Sequence, residues 1–335
     1  MAFKRFDPED FVVSSDSITS TLWSTGVPTL TTFFTSSIQS VGSSGNYYLS
    51  IYQTASNLST AAVQFDIAYA DLLGSGSTLY NSIVPQNSYT KTIYGQYRSL
   101  ILEDENANFV FGTGNNVLTG SNFWVLSIER ANYKQSLFPG SLNLQILGPG
   151  GTINLTDNSL DNPVNTFIGT SRVYQLVSGS NGSGISGGGY VNNSGSYGLV
   201  FPDLGTILLN PSALSQSIQL EPSRSNNSDG LNNQRLFNAI SGAASFALNS
   251  QETVTSDYVF VRARNSEFNY SENPSFISGS TGEVIYSSFI NSPQVYITTV
   301  GMYNDSNDLL AVAKMSRPLL KDFTKEALVR VKLDF

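Results

Sequence analysis

The sequence predicts a mainly β protein: antiparallel sheets, β-sandwich-like, with long loops and one or two short helices. Three observations lead there. Apolar residues recur at every second position in several segments, the period of a strand with one buried face. The polar complement is dominated by 50 Ser and 31 Asn, with 28 Gly, types that favour turns and exposed strand positions over helix interiors. Helical signals are few.

Taken in order, the chain opens on a charged arm, residues 1–10, in which Lys4-Arg5 precede Asp7-Pro8-Glu9-Asp10. A β-rich part follows at 11–177. Within it, Tyr48–Tyr52 reads YLSIY, Val63, Phe65, Ile67 and Tyr69 alternate with Gln64, Asp66 and Ala68, and Phe123–Ile128 reads FWVLSI. Glu129–Phe138 has the look of a short helix stopped before Pro139-Gly140. Ser178–Gly198 is so rich in Gly and Ser that it predicts a flexible loop burying little apolar surface. It opens a segment at 178–250 that reads as loop plus a helix-containing insert. Its helix is placed at Arg235–Asn249, where Leu236, Phe237, Ile240, Ala244 and Leu248 fall near one face, after a polar stretch at Pro222–Gln234. A second β-rich part spans 251–335. Tyr258–Arg264 puts Val259 and Val261 on one face and Arg262 and Arg264 on the other. The runs 295–302 and 309–315 flank a turn-forming Tyr303–Asp308 and predict a β-hairpin. Asp322 is placed to cap one turn before a final strand, in which Val329, Val331, Leu333 and Phe335 alternate with Arg330, Lys332 and Asp334.

Composition excludes much chemistry. There is no Cys and no His. That removes thiol nucleophiles, disulfides, thiolate metal sites and the commonest general base. No cofactor and no transition metal are expected. Charged residues are only 13% of the chain and the net charge is −8, which argues against a nucleic-acid partner. No signal peptide or apolar run of membrane-spanning length is visible, so no membrane partner is expected.

The remaining motifs read as structure. Glu103-Asp104-Glu105 is an acidic cluster, but neighbouring residues on a turn or strand point apart, whereas a glycosidase needs two carboxylates across a sugar. Asp157–Asp161 and Asp305–Asp308 lack the full ligand pattern of a calcium loop. Gly182, Gly184 and Gly187 match GxGxxG without the strand–helix context that gives that motif meaning. The Asn-x-Ser/Thr triplets at Asn57, Asn154, Asn181, Asn192, Asn226, Asn269 and Asn304 are what chance produces in so much Asn and Ser.

The C-terminus carries the candidate interaction residues, Arg330, Lys332 and Phe335. Six basic residues (Lys314, Arg317, Lys321, Lys325, Arg330, Lys332) lie in the last 22 positions of a chain with 17 in all. Such a segment suits an acidic neighbour. It equally suits an edge strand protected by charge.

Four segments carry a resemblance: FKRFDPEDFVVSSDSIT at 3–19, SSGNYYLSIYQTAS at 43–56, EFNYSENPSFISGSTGEV at 267–284, and the stretch from Tyr296 to Phe335. They resemble virion structural proteins of contractile-tailed phages that infect cyanobacteria, of the tail and baseplate class. The resemblance implies a structural subunit of a virion, oligomeric within the particle, partnered by other tail or baseplate proteins, and not an enzyme. It supplies no site residues. Two alternatives stay open: a tail-fibre or receptor module that binds carbohydrate through its many Tyr and Asn, and a tail-associated glycosidase.

Overall fold

The computed structural model describes residues 5–35, 47–77, 83, 88–163, 166–185, 188–224, 231–271 and 273–334. It is mainly β, with antiparallel sheets and four short helices. Chain contacts divide it into two units, Met1–Ser17 with Thr253–Phe335, and Ile18–Glu252. The second division falls between Glu252 and Thr253. Segments 11–177 and 178–250, by contrast, fall in one unit apart from the first seven residues.

Strand β1 (Phe11–Thr21) runs through the first division. In the larger unit follow β2 (Thr29–Leu30), β3 (Phe34–Thr35), β4 (Tyr48–Tyr52), β5 (Val63–Asp71), helix α1 (Tyr89–Leu102), β6 (Phe109–Thr113), β7 (Asn116–Gly120) and β8 (Asn122–Ile128). Then come β9 (Ser136–Leu137), β10 (Asn143–Gly148), β11 (Gly151–Asp157), β12 (Thr166–Ile168), β13 (Ser171–Ser180), β14 (Ser183–Gly184), β15 (Gly198–Phe201) and β16 (Thr206–Leu209). Helices α2 (Pro211–Ile218) and α3 (Leu231–Ala243) precede β17 (Phe246–Ala247) and β18 (Asn249–Ala263), and β18 crosses the second division. The smaller unit ends with α4 (Ser287–Asn291), β19 (Gln294–Tyr303), β20 (Leu309–Asp322) and β21 (Ala327–Asp334).

One sheet dominates the larger unit, in the order β2-β17-β10-β11-β13-β15-β16-β8-β5-β4-β3. Its two ends are tied by sequence. Leu30 on β2 pairs with Phe246, and Phe34 on β3 pairs with Tyr52. Four residues of extended chain span at most roughly 14 Å, so the ends lie close and the sheet curls round on itself. The period of two then sorts side chains between an inside and an outside. Phe65, Ile67 and Tyr69 of β5 join Trp124, Leu126 and Ile128 of β8 in the larger core. Ala70, Phe123 and Val125 join a second cluster on the opposite face, with Ile93, Tyr94 and Ile101 of α1. Helix α3 touches both β10 and β5, six places apart in the strand order, as a filler of a curled sheet must.

Several sequence expectations are corrected. The expected helix at 235–249 runs instead from Leu231 to Ala243, and its tail becomes β17 and the start of β18. Ala244 takes a left-handed φ of 52° and ends the helix. At the other end, polar residues hid the first turn. Asn232 is buried and trades two hydrogen bonds with the Ser223 backbone, at 2.7 and 2.9 Å. Glu129–Phe138 forms only a 3₁₀ turn at Arg130–Asn132 before β9. The Gly/Ser-rich segment is not a loop that buries little. β13 runs to Ser180, β14 pairs back onto it, and Val191, Ser196 and Tyr197 are buried. Its glycines permit backbone contact: a Cβ on Gly195 would lie 2.1 Å from the Phe111 carbonyl oxygen. Gly187 lies outside the described residues, and so does Asn226.

Other expectations are met. The hairpin is β19–β20, with Tyr303 opposite Leu309. Asp322 accepts from the Thr324 backbone N–H and hydroxyl at 2.9 and 2.5 Å, ahead of β21. Asp157 serves turn geometry, accepting backbone N–H groups from Gly140 and Ser159.

Candidate interaction surface and an aromatic cleft

In the smaller unit, β18 lies between β1 and β21, which form the two edges of their sheet. The final strand pairs inside its own chain, antiparallel, from Ser256↔Asp334 to Ala263↔Ala327. One face of this pairing carries Val259, Val331, Ala263 and Ala327, all buried. The other carries Tyr258 opposite Lys332 and Phe260 opposite Arg330. The Arg330 guanidinium carbon sits 5.6 Å, and the Lys332 ammonium 5.9 Å, from the Tyr258 ring centre, within the reach of cation–π attraction. Lys332 also pairs with Asp334 at 2.8 Å. Hydrogen bonding to Asp334 raises the Lys332 pKa, and the bonds from Lys332 and Ser256 lower that of Asp334. The two candidate cations therefore share one exposed strip with a tyrosine between them. Phe335 lies outside the described residues.

The rest of this unit is more exposed than its sequence suggested. β1 has no buried residue along its length, and Phe11, Val12 and Val13 stand in solvent. The β19–β20 ribbon is a separate two-stranded sheet bearing exposed Tyr296, Leu309, Leu310 and Val312. A two-stranded ribbon is marginal by itself in water. Lys321, expected to add to the basic surface, is instead fully buried near the end of β20. Its ammonium donates to the carbonyl oxygens of Asn265 and Asp322 and to Asn269 Oδ1, at 3.2, 2.9 and 2.7 Å.

The larger unit holds a cleft of about 550 Å³ between α1 and the outer face of β4, β5 and β8. Strand register builds its floor in two rows. Tyr48, Ala68 and Val125 align across the three strands, and in the next row Asp66 and Ser127 line the cleft, with Ser50 of β4 paired to Asp66. Small side chains at Ala68 and Ser127 leave the space open. Helix α1 supplies Tyr89, Thr92, Ile93, Gln96 and Tyr97 as the facing wall, and Tyr47 completes the lining. The Tyr47 and Tyr89 rings meet at 3.9 Å between centres, 70° apart. Asp66 Oδ1 accepts from the Ser50 hydroxyl at 2.6 Å. Burial, followed by the nearby Glu129, raises the Asp66 pKa, the Ser50 bond opposing. Burial likewise raises Tyr97, against a hydrogen bond to Ser127.

Sequence reading missed this cleft because it missed α1. Ile93, Tyr94, Tyr97 and Ile101 do have helical spacing, but Gly95 and the Thr and Tyr around them weaken the signal. The acidic cluster after the helix is its terminus: Glu103 adopts φ 57° and accepts from the Thr170 hydroxyl at 3.0 Å, while Asp104 accepts from the Asn106 N–H at 2.8 Å.

The fold and surfaces define a two-unit, β-rich chain with one densely packed unit and one largely exposed unit. Comparison with known protein families, with characterised proteins and with solved structures finds no match for it.

Proposed function

We propose that the chain is a structural subunit of a phage virion, a baseplate-wedge or other tail component that works through contacts with neighbouring tail proteins and with copies of itself. It is made in the host cytoplasm and ends in the virion. The observation that carries this reading is the exposure of the smaller unit: the β19–β20 ribbon, the β1 edge and the Tyr258–Arg330–Lys332 strip present apolar and cationic surface that a neighbour would cover. Long unpaired strand edges are a hazard for a free monomer and an asset for an assembling subunit. The resemblance of the terminal segments to tail and baseplate proteins of contractile-tailed phages points the same way.

An enzymatic role has less support. Glycoside hydrolysis requires two carboxyl groups flanking the bond, and among the described residues lining the cleft Asp66 is the one carboxylate. The test is a map and mass spectrum of purified particles. The expected result is the chain in stoichiometric, symmetric copies in the tail, with β1 and the β19–β20 ribbon covered by neighbours. Its absence from purified particles would sink the proposal.

A further inference from the structure

The cleft on the larger unit has no part in the assembly reading, and its chemistry is specific. Its polar floor offers a carboxylate acceptor, Asp66, beside the hydroxyl of Ser127, with Asp66 Oδ1 already accepting from the Ser50 hydroxyl. Its walls are the faces and edges of Tyr47, Tyr48, Tyr89 and Tyr97, and the exposed Thr92 and Gln96 stand at its rim. No Lys or Arg is among the described lining residues, and the Asp66 carboxylate would repel a phosphate or carboxylate. We propose that this cleft is a binding site for a neutral saccharide of one or two rings.

The match is one of shape and group chemistry. A pyranose has apolar faces formed by its C–H groups and an equator of hydroxyls. Tyrosine rings cover such faces with apolar area while offering a polar tip, and a carboxylate accepts a pair of adjacent hydroxyls. A desolvated carboxylate with one hydroxyl donor has unused acceptor capacity; sugar hydroxyls would supply further donors. Neutral partners at Ser127, Thr92 and Gln96 suit a ligand that both donates and accepts. A cage for an organic cation would want aromatic faces and carboxylate alone. The volume, about 550 Å³, lies within the range of ligand clefts.

The test uses the full chain with fluorotyrosine incorporated. Glucose, galactose, mannose, N-acetylglucosamine and their β-linked disaccharides are titrated at up to about 20 mM, since few-contact sugar sites bind near the millimolar level. At least one sugar is expected to shift resonances assigned to Tyr48 and Tyr89 saturably, with a matching isotherm by calorimetry. Asp66→Asn and Tyr48→Ala should each weaken that binding by about tenfold, the effect of losing a charged hydrogen bond or an aromatic contact. Gln96→Ala, an exposed helix change that leaves the fold alone, should weaken it by a smaller factor. Any of three results overturns the proposal: no saturable shift with any sugar, binding unchanged in all three variants, or saturation by tetramethylammonium in place of sugar.

Discussion

The two units are built from the same kind of strand and use their apolar residues in opposite ways. Among the described residues, the larger unit has forty-six buried apolar side chains and the smaller has four: Val259, Ala263, Ala327 and Val331. The smaller unit is less than half as long as the larger, so length alone does not explain an elevenfold gap. It also has fifteen exposed large apolar residues, nearly as many as the larger unit's sixteen. Ordering backbone costs about 1–2 kcal/mol per residue and must be offset by burial. The larger unit offsets it internally. The smaller one has four buried apolar side chains with which to do so, and this is the physical basis of the proposal that neighbours complete it.

The largest expected effect sharpens that contrast from the packed side. Phe246 is fully buried, with its ring 5.0 Å from Trp23 and 5.4 Å from Phe65 between centres. It also sits on the short strand that joins β2 to β10. Phe246→Ala should cost about 3–5 kcal/mol, measured as a drop in the denaturant midpoint of the free chain. Next in size is Lys321→Met in the smaller unit. It removes the donors serving three carbonyl oxygens while keeping most of the buried stem, and about 1–3 kcal/mol is expected from the unsatisfied acceptors. Hydrogen exchange should show the loss around Asn265–Asn269 and β20. Unchanged protection there would mean that the clamp contributes nothing.

Much of the fold was legible in the sequence, whereas the contrast between the units was not, and the causes of each miss differ. Strands with apolar alternation, such as Val63–Asp71 and Ala327–Asp334, follow from period alone, because a one-residue slip would turn every side chain to the other face. The hairpin at 294–322 follows from its turn residues. The Gly/Ser-rich stretch was misread because composition reports the entropy of a free chain, whereas Gly189 and Gly195 serve close backbone approach to Ser178 and Phe111. The burial of Asn232 and Lys321 was out of reach because it depends on partners outside their own helix or strand: Ser223 for one, Asn265 and Asn269 for the other. The cleft was out of reach for the same reason. Its floor is a register across three strands, and register between β4, β5 and β8 is not written in any one of them.

A smaller effect on stability would test the exposed side. Leu310, on the ribbon, is 67% exposed, and Leu310→Ser should change free-chain stability by no more than about 0.5 kcal/mol. In the same experiment the variant chain should be under-represented in particles when it competes with the parent during infection. Normal incorporation would break the assignment of the ribbon to an interface, and a large loss of free-chain stability would break the claim that the ribbon is unpacked.

The smallest expected effect separates the units by the sign of their response to acid. Asp66 in the larger unit has a pKa raised above its ordinary 3.8, chiefly by burial. Its folded state binds a proton more readily than the unfolded chain does, so ionised Asp66 opposes folding. That opposition is relieved as pH falls through the raised value, and relief is complete below 3.8. In the smaller unit Asp322 and Asp334 are lowered below 3.8, the first by the Thr324 hydroxyl and the second by Lys332 and Ser256. Their contribution is fully present above the unfolded value and is lost as pH falls below 3.8 through the lowered ones. Acidification should therefore first favour the larger unit and only afterwards weaken the smaller. Carboxyl-carbon NMR across that range should show Asp66 titrating before Asp322 and Asp334. Hydrogen exchange should show protection near β4 and β5 holding or rising while that of β21 falls at the acid end. The reverse order of titration would mean that burial of Asp66, and with it the enclosed floor of the cleft, has been misjudged.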